Sequence, residues 1–592
     1  MTNYDIAARL NEIAALMEFD GEPFFKIKAY ERAARSLEDC ETPVRELIDA
    51  GEVDELPGVG KAIAQKIVDI ESTGTCKYLE ELRAKFPSTI LELLRVPGIG
   101  TKTAIAMYQR LGITGLDDLR AAVEDGSIAA LPRLGAKGVE NLKLALSRLA
   151  QRTQRMRLGD AWELAARITA ALEEAKLAKN VVAAGSLRRM ESTVGDLDFI
   201  CTSSTPEKAL DFFCALHGVE RVTAKGDTKA TVWLHAGIAA DLRVVPHRCF
   251  GNLLQHFTGN KDHNVKLREY ALRKGLSVSE WGVQTIETGR VRTSATEAGV
   301  YEMLGLPFIP PEIRLGLNEI ELARKHELPA LIEIGDIRGD LHDHTTWSDG
   351  TRSIEQMARE AARRGFSYMS ISDHSRGRAV GNGLSIERLL EQIAEIRSVA
   401  TSYGIRLLCS SEVDIRADGT LDFPDDVLAQ LDIVVASIHS GFAADKSKQT
   451  ARLLRAIENP NVNIIGHPTG VLIEQRAGYE FDADAVFRAA AASGTALEIN
   501  SNPARLDLSA ALARRAKELG CTIAIDNDAH AFEDFDNLRF GVGTARKAGL
   551  TKADVLNART VEDVLAFVAA KRARGSNSQT REKAAQSTEL FG

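Results

Sequence analysis

Cysteine is scarce and never closely paired: the 592-residue chain has seven, at 40, 76, 201, 214, 249, 409 and 521, odd in number and nowhere spaced CxxC. That excludes a cysteine zinc site and a disulfide framework, and points to reduced thiols in a core. Also missing is any apolar run near the ~18 residues of a membrane span. The amino terminus carries acids early, where a secretory leader would have a basic stretch and an apolar block. A cytoplasmic chain with no membrane partner is expected. Hydrophobic residues at 44% and charged residues at 27% exclude a disordered chain. At roughly 150 residues per domain the length predicts about four domains, which excludes a single small binding module.

An excess of positive charge is lacking overall, at −9, but the average hides a segregation. Residues 1–100 sum to −7, residues 101–300 to +6 and residues 301–592 to −8. The basic centre admits a polyanion partner.

Apolar residues at three and four spacings predict short helices over the first 150 residues, through Ile6, Leu10, Ile13 and Leu16 and again through Leu79, Leu82, Ile90 and Leu93. Three loops interrupt them, LPGVGK at 56–61, VPGIGT at 96–101 and LPRLGA at 131–136. A PGxG turn before a helix points backbone N–H groups outward at a positively polarised helix end, which suits a phosphate without reading a base. The two good copies, Gly58/Gly60 and Gly98/Gly100, predict helix-hairpin-helix binding to a DNA backbone. The third copy has Arg133 in place of its first glycine.

From Val181 the period becomes strand-like, through VVAAG, DLDFICT, ATVWLHA and ADLRVVP, with helices at 160–176 and 206–216, which predicts an α+β domain. In a strand, residues two apart share a face, so Asp196 and Asp198 project together. With Asp241 on a neighbouring strand they form a set able to hold two divalent cations, the arrangement that in-line nucleotidyl transfer requires. Gly185 and Ser186 offer a phosphate-holding turn, and Arg189 a planar charged fork for a departing triphosphate.

Strand and helix then alternate through RGDLH, YMSISDH, RLLCSSE, DIVVASIH, VNIIGH, ALEIN and TIAID, which predicts a parallel βα barrel. Near the carboxyl ends of these strands fall His342, His344, Asp349, His374, Glu412, His439, His467, Asp528 and His530. In such a barrel this is the face where active sites are built. Nine N/O ligands are too many for one ion and, lacking thiolates, suit Mn2+, Zn2+ or Fe2+.

These segments resemble two families. GSLRR…GDLD (185–198), DLRVVP (241–246) and FGNLLQHFTGNKDHNVKLREYALRKGLSVSEWG (250–282) resemble a family X DNA polymerase, the group of DNA polymerase beta, from about Phe25 to Phe308. The resemblance implies Asp196, Asp198 and Asp241 as the catalytic metal-binding triad using Mg2+ or Mn2+, with Ser186, Arg189 and Gly195 at the triphosphate. It places Phe257, Gly259 and Asn264 beside the incoming nucleotide and Arg268 at the template minor groove. His256 and Asn260 stand where the beta-type enzyme has tyrosine and serine. The segment PFFKIKAYERAARSLED resembles that family's 5′-phosphate-binding lyase domain, which implies phosphate contacts at Lys26 and Tyr30 and a Schiff-base lysine at Lys66, with Lys61 as a cationic neighbour.

The histidine-rich part resembles the PHP (polymerase and histidinol phosphatase) domain over about 337–570, and all nine metal positions match. It implies a distorted (β/α)7 barrel holding up to three ions, bridged by Glu412, that hydrolyses phosphodiesters. The two together resemble the bacterial PolX architecture. A multidomain α+β and α/β chain is expected: 1–80 lyase-like with the first hairpin, 81–155 fingers-like with the second, 156–250 palm, 251–316 thumb, 317–335 linker, 336–570 PHP barrel and 571–592 a disordered tail. The resemblance implies gap-filling synthesis from dNTPs on gapped or primer–template DNA, 3′→5′ exonuclease and, in some members, apurinic-site cleavage. Two alternatives stay open: a nuclease whose polymerase half only clamps DNA, and a non-enzymatic DNA-end scaffold. In the basic tail, Gln586, Leu590 and Phe591 loosely resemble peptides that dock on the sliding clamp, against a frayed end that brushes DNA.

Overall fold

The computed structural model describes residues 3–40, 44–87, 89–96, 99–131, 138–140, 142–143, 146, 155–377 and 382–574. Gly98, residues 132–136 of the third loop and the tail residues Gln586, Leu590 and Phe591 lie outside them. The chain forms two compact units, Met1–Gln154 and Arg155–Gly592.

The first unit is helical, with Asn3–Phe19, Phe24–Asp39, Lys61–Thr73, Lys77–Lys85 and Thr101–Leu111 among its elements. Short amphipathic helices bury one stripe each and need neighbours to cover it. Ile13 and Met17 of the first helix meet Leu79, Leu82 and Met107 in a single core. The two segments expected to divide near residue 80 therefore share one interior.

Near the start of the second unit the helix Leu158–Glu174 packs on a five-stranded sheet. The strand order is Lys179–Ala183, Asp196–Thr202, Ala239–Val244, Lys229–Leu234 and Val219–Lys225. Asp196–Thr202 and Ala239–Val244 run parallel, and the remaining pairs are antiparallel. The helices Phe250–Thr258, Lys261–Leu272 and Glu297–Met303 follow, with a small antiparallel sheet over residues 276–292. The expected linker 317–335 is not free along its length. Glu319 is buried and accepts from His263 Nδ1 at 2.8 Å and from the Gly316 and Leu317 amides, while Ile320 and Ala323 join the core around Tyr270 and Val300. Apolar contacts of the helix Glu319–Lys325 thus place its start in the thumb-like region.

The barrel strands are Gly339–Asp340, Tyr368–Ile371, Arg406–Cys409 with its continuation Glu412–Asp414, Val435–Ser437, Ile464–Ile465, Ala496–Asn500 and Ile523–Asp526, all paired in parallel. A break between Cys409 and Glu412 splits the ladder into two sheets. The parallel bridges His374–Glu412 and Asp343–Ala529 rejoin it and bring the first strand beside the last. Inside, Leu341, Leu408, Val435, Ile464, Ala496 and Ala524 pack against Val564 and Val568 of the final helix. That helix spans 561–574, so the expected start of a disordered tail at Lys571 is corrected. Lys571 is buried and donates to the Ile457 carbonyl at 3.1 Å and to Thr495, and Arg572 donates to the Leu431 carbonyl at 2.7 Å. Composition signalled a polar tail, but the long basic stems cover the barrel while their heads find carbonyls.

Candidate active sites

Parallel pairing sets the carboxylates of the five-stranded sheet. Asp198 and Asp241 are register partners, and Asp196 lies two residues along the same strand, on the same face. Burial and the charges of Asp196 and Asp241 push the Asp198 carboxyl up to about 7. Crowding by protein atoms and the Asp241 charge raise Asp196 as well. Such repulsion is relieved by a cation, and an all-carboxylate donor set fits a hard divalent ion. Lys229 Nζ, from the adjacent strand, lies 2.6 Å from Asp241 Oδ2. Gly185 explains how the turn comes so close: its φ is +60°, and a Cβ there would stand 2.5 Å from Asp198 Oδ2.

The expected triphosphate residues border this site. Ser186 Oγ and Arg189 Nε are buried with no hydrogen-bond partner, donors open to an incoming anion. Arg189 Nη1 donates to the Thr258 carbonyl at 2.6 Å, and a Cβ on Gly259 would lie 3.3 Å from the same nitrogen. A Cβ on Gly195 would lie 3.2 Å from Arg155 Nη1. Phe257 sits under the Arg243 guanidinium, 4.1 Å from its ring centre. Asn264 donates to the His256 carbonyl at 2.7 Å and accepts from Gln255 at 2.8 Å, so its amide holds the His256–Phe257 segment. Arg268 is exposed, with Nη2 3.3 Å from His256 Nδ1.

Sequence reasoning missed the buried ion pairs that hold this region to the thumb-like helices. Glu297 accepts from Arg188 at 3.0 and 2.7 Å and from Arg314 at 2.5 Å, and Arg314 is fully buried against the Tyr301 ring. Removing one partner of such a set leaves a buried charge, at a cost of about 3–5 kcal/mol. Their separation in sequence gave no signal.

All nine expected barrel residues converge. Glu412, 1% exposed, lies at the centre, with His374 Nδ1 at 2.7 Å, His467 Nε2 at 2.8 Å, His439 Nε2 at 3.2 Å and His342 Nε2 at 3.6 Å. Asp528 lies 3.1 Å from His344 Nε2, and Asp349 lies 3.3 Å from His374 and 3.2 Å from His530. Burial alone would raise Glu412, but His439, His374 and His342 hold it well below the carboxylate range. Asp528 is held down in the same way by His342 and His344. Burial beside His530 and His374 lowers His344 to about 3. Three overlapping groups have ligand atoms within 4.8 Å of one another: His344, Asp349, His374 and His530; His342, His344 and Asp528; His374, Glu412 and His439. Both ring nitrogens of His344 and His374, with His342 Nε2, His439 Nε2 and His467 Nδ1, are buried without hydrogen-bond partners. Orphaned buried nitrogens beside depressed carboxylates fit divalent cations.

The groups that orient these side chains were also missed. Glu498 accepts from His342 Nδ1 at 2.7 Å and from the His467 amide at 2.5 Å. Asn500 donates to Asp528 at 3.0 Å, and Asp414 accepts from His439 Nδ1 at 2.5 Å. Partners of this kind fix ring orientation and raise ligand basicity. A glutamate inside the apolar strand ALEIN was the available signal.

In the helical unit the expected lyase residues gather around Tyr78, which the sequence reading did not single out. Lys66 Nζ lies 5.5 Å from the Tyr78 ring centre and donates to the Ala62 carbonyl at 3.0 Å. Tyr30 stacks on Tyr78 at 6.3 Å and is itself buried, which pushes its phenol up to about 12. Lys26 is exposed, pairs with Glu22 at 2.9 Å and acts electrostatically on Tyr78. Gly58 has φ +81°, and Gly60 and Gly100 begin the helices Lys61–Thr73 and Thr101–Leu111 with open space around them. No described helix is long and apolar enough to cross a membrane.

Four family models match: a helix-hairpin-helix domain at 1–76, a SAM-like helix-hairpin-helix tandem at 90–148, the DNA polymerase beta thumb at 253–315 and the PHP domain at 340–502. Asp528 and His530 lie beyond the last span. The chain is 32% identical over 233 residues to a protein named as a probable phosphatase from Thermoanaerobacter sp. (strain X514), covering 37% of this chain and 89% of that one. It is 25% identical over 346 residues to DNA polymerase lambda of Rattus norvegicus, covering 53% and 56%. It is 40% identical over 571 residues to the DNA polymerase/3′-5′ exonuclease PolX of Bacillus subtilis (strain 168), covering 96% of this chain and 99% of that one. With both of its sites spanned by that match, the chain belongs to the PolX family.

Proposed function

We propose that the protein is a DNA polymerase that fills short gaps during repair of the base excision type, and that its barrel is a 3′→5′ exonuclease with apurinic-site cleavage as a related activity. The observation that carries this reading is the presence, on one PolX chain, of two different side-chain clusters suited to divalent cations: a carboxylate triad on an open sheet and a histidine-rich set in a barrel.

In the polymerase site Asp196, Asp198 and Asp241 would hold Mg2+ or Mn2+, which supplies charge neutralisation and alignment for in-line displacement. Gly185 leaves the space for the Asp198 carboxylate, and Ser186 and Arg189 offer donors to the triphosphate. Gly195 and Gly259 keep the phosphate side open, and Phe257 and Asn264 shape the nucleotide pocket. Arg268 reaches toward the template. In the barrel His342, His344, Asp349, His374, Glu412, His439, His467, Asp528 and His530 would hold up to three ions, Mn2+, Zn2+ or Fe2+, which supply Lewis acidity at a phosphodiester. Glu498 and Asp414 fix the tautomers of His342 and His439 by accepting from Nδ1, which turns each Nε2 toward the centre. The exposed helix starts at Gly60 and Gly100 bind the DNA backbone. Lys66, with Lys26 and Tyr30 beside Tyr78, serves a 5′-deoxyribose-phosphate end.

Every residue that the resemblance assigns to the two ligand sets is present in the sequence, which argues against a polymerase half that only clamps DNA and against a relict scaffold. The test is a labelled primer on gapped DNA, with and without dNTPs, in Mg2+ and in Mn2+. Extension with dNTPs and shortening from the 3′ end without them are expected. Shortening with no extension in either metal overturns the polymerase assignment.

A further inference from the structure

The helix Leu538–Lys547 begins eight residues after the barrel ligand His530 and ends against the palm, inside the same compact unit. Phe540 packs edge-on to Trp162 at 6.0 Å, and Gly543 admits Met190, whose Cγ would lie 2.7 Å from any Cβ placed there. Met190 and Glu191 directly follow Arg189. At the end of the helix Lys547 Nζ pairs with Glu191 Oε2, and Arg514 fixes the Lys547 carbonyl at 2.7 Å. The other oxygen, Glu191 Oε1, lies 3.6 Å from Arg189 Nε, too far for a hydrogen bond. The Lys547 and Arg189 side chains are each 14% exposed, so these charges are weakly screened.

We infer that Lys547 is a positioning residue of the polymerase site, a lysine from the nuclease barrel that holds Glu191 away from Arg189 and so leaves the guanidinium free for the triphosphate of an incoming dNTP. The inference rests on the assignment of Arg189 to the triphosphate. Without Lys547, Arg189 is the one ion-pair partner left to Glu191 among the described residues. The Glu191 carboxylate then closes on Arg189, which neutralises the fork and leaves no net positive charge there for the phosphates. The nuclease domain thereby sets nucleotide affinity at a site it does not line. The inference concerns binding, so the affected quantity is the KM for dNTP.

The test uses full-length protein on single-nucleotide-gapped DNA, with KM and kcat measured for Lys547→Ala, Lys547→Arg, Glu191→Ala, the double variant Lys547→Ala/Glu191→Ala, and Arg189→Ala. Lys547→Ala raises the KM for dNTP on the order of tenfold with little change in kcat. Lys547→Arg stays near wild type, and 3′→5′ exonuclease activity and melting temperature report an intact barrel. The double variant recovers most of the lost affinity, because the competing carboxylate is gone. A merely structural lysine predicts no recovery. An unchanged KM in Lys547→Ala, or a double variant as weak as the single one, overturns the inference. If Arg189→Ala leaves the KM unchanged, the triphosphate assignment fails and the inference falls with it, a result distinct from failed rescue alone.

Discussion

Gly185→Ala probes how the palm aims Asp198. The native φ of +60° lies in the left-handed region, where an L-residue costs about 1–2 kcal/mol. That is small beside the roughly 5–15 kcal/mol that holds a domain folded, so the variant folds. The site pays more heavily. The added Cβ would stand 2.5 Å from Asp198 Oδ2, well inside contact distance, so carboxylate and turn must part by on the order of 1 Å. A misplacement of about 1 Å in a reacting assembly costs about 100-fold, equivalent to about 2.7 kcal/mol of barrel-independent barrier. Primer extension on gapped DNA at saturating dNTP and Mg2+ therefore falls about 100-fold. Exonuclease on the same preparation stays near wild type, and the melting temperature drops by no more than about 4 °C. Extension near the wild-type rate would refute the claim that this turn positions Asp198 for the reaction.

Glu498→Gln weakens the acceptor for His342 Nδ1 and removes a charge beside the His467 amide, so metal affinity of the barrel falls about 10–100-fold; Mn2+ titration of exonuclease and metal content after dialysis check this, with extension unaffected. Lys66→Ala eliminates the borohydride-trapped adduct with a 5′-deoxyribose-phosphate end, and undiminished trapping moves the imine to another lysine. Burial lowers Lys571 to about 7, so the unfolded chain binds this proton more tightly than the folded one. Stability contributed by this group then falls as pH drops from the unfolded value of about 10.4 toward 7 and levels off below. The melting temperature of Lys571→Met relative to wild type should accordingly be lower at pH 9.5 than at pH 7 in the difference curve, and a flat difference refutes it.

The sites were legible where chemistry repeats at strand ends. Alternation put Asp196 and Asp198 on one face, and βα periodicity put nine candidate ligands at one end of a barrel that the bridge between Asp343 and Ala529 closes. What stayed hidden depends on contacts between distant segments. Arg188, Glu297 and Arg314 look like surface charges until the thumb-like helices cover them. Glu498 reads as one acid in an apolar strand until His342 and His467 arrive beside it. Lys571 and Arg572 read as a solvated basic tail, because composition cannot show that barrel carbonyls await their donors. The shared core of the helical unit was hidden for the same reason: periodicity reports which stripe is apolar and not which helix covers it.

The central claim is that one chain carries two independent metal-dependent centres, and double dissociation on one substrate tests it most directly. A 5′-labelled primer on gapped DNA is incubated with wild type, Asp198→Ala and His344→Ala, each with and without dNTPs. Asp198→Ala should lose extension and keep 3′ shortening, because it removes a palm ligand only; His344→Ala should lose shortening and keep extension, because His344 belongs to two of the three barrel ligand groups. Loss of both activities in either variant, or survival of shortening in His344→Ala, would contradict the account.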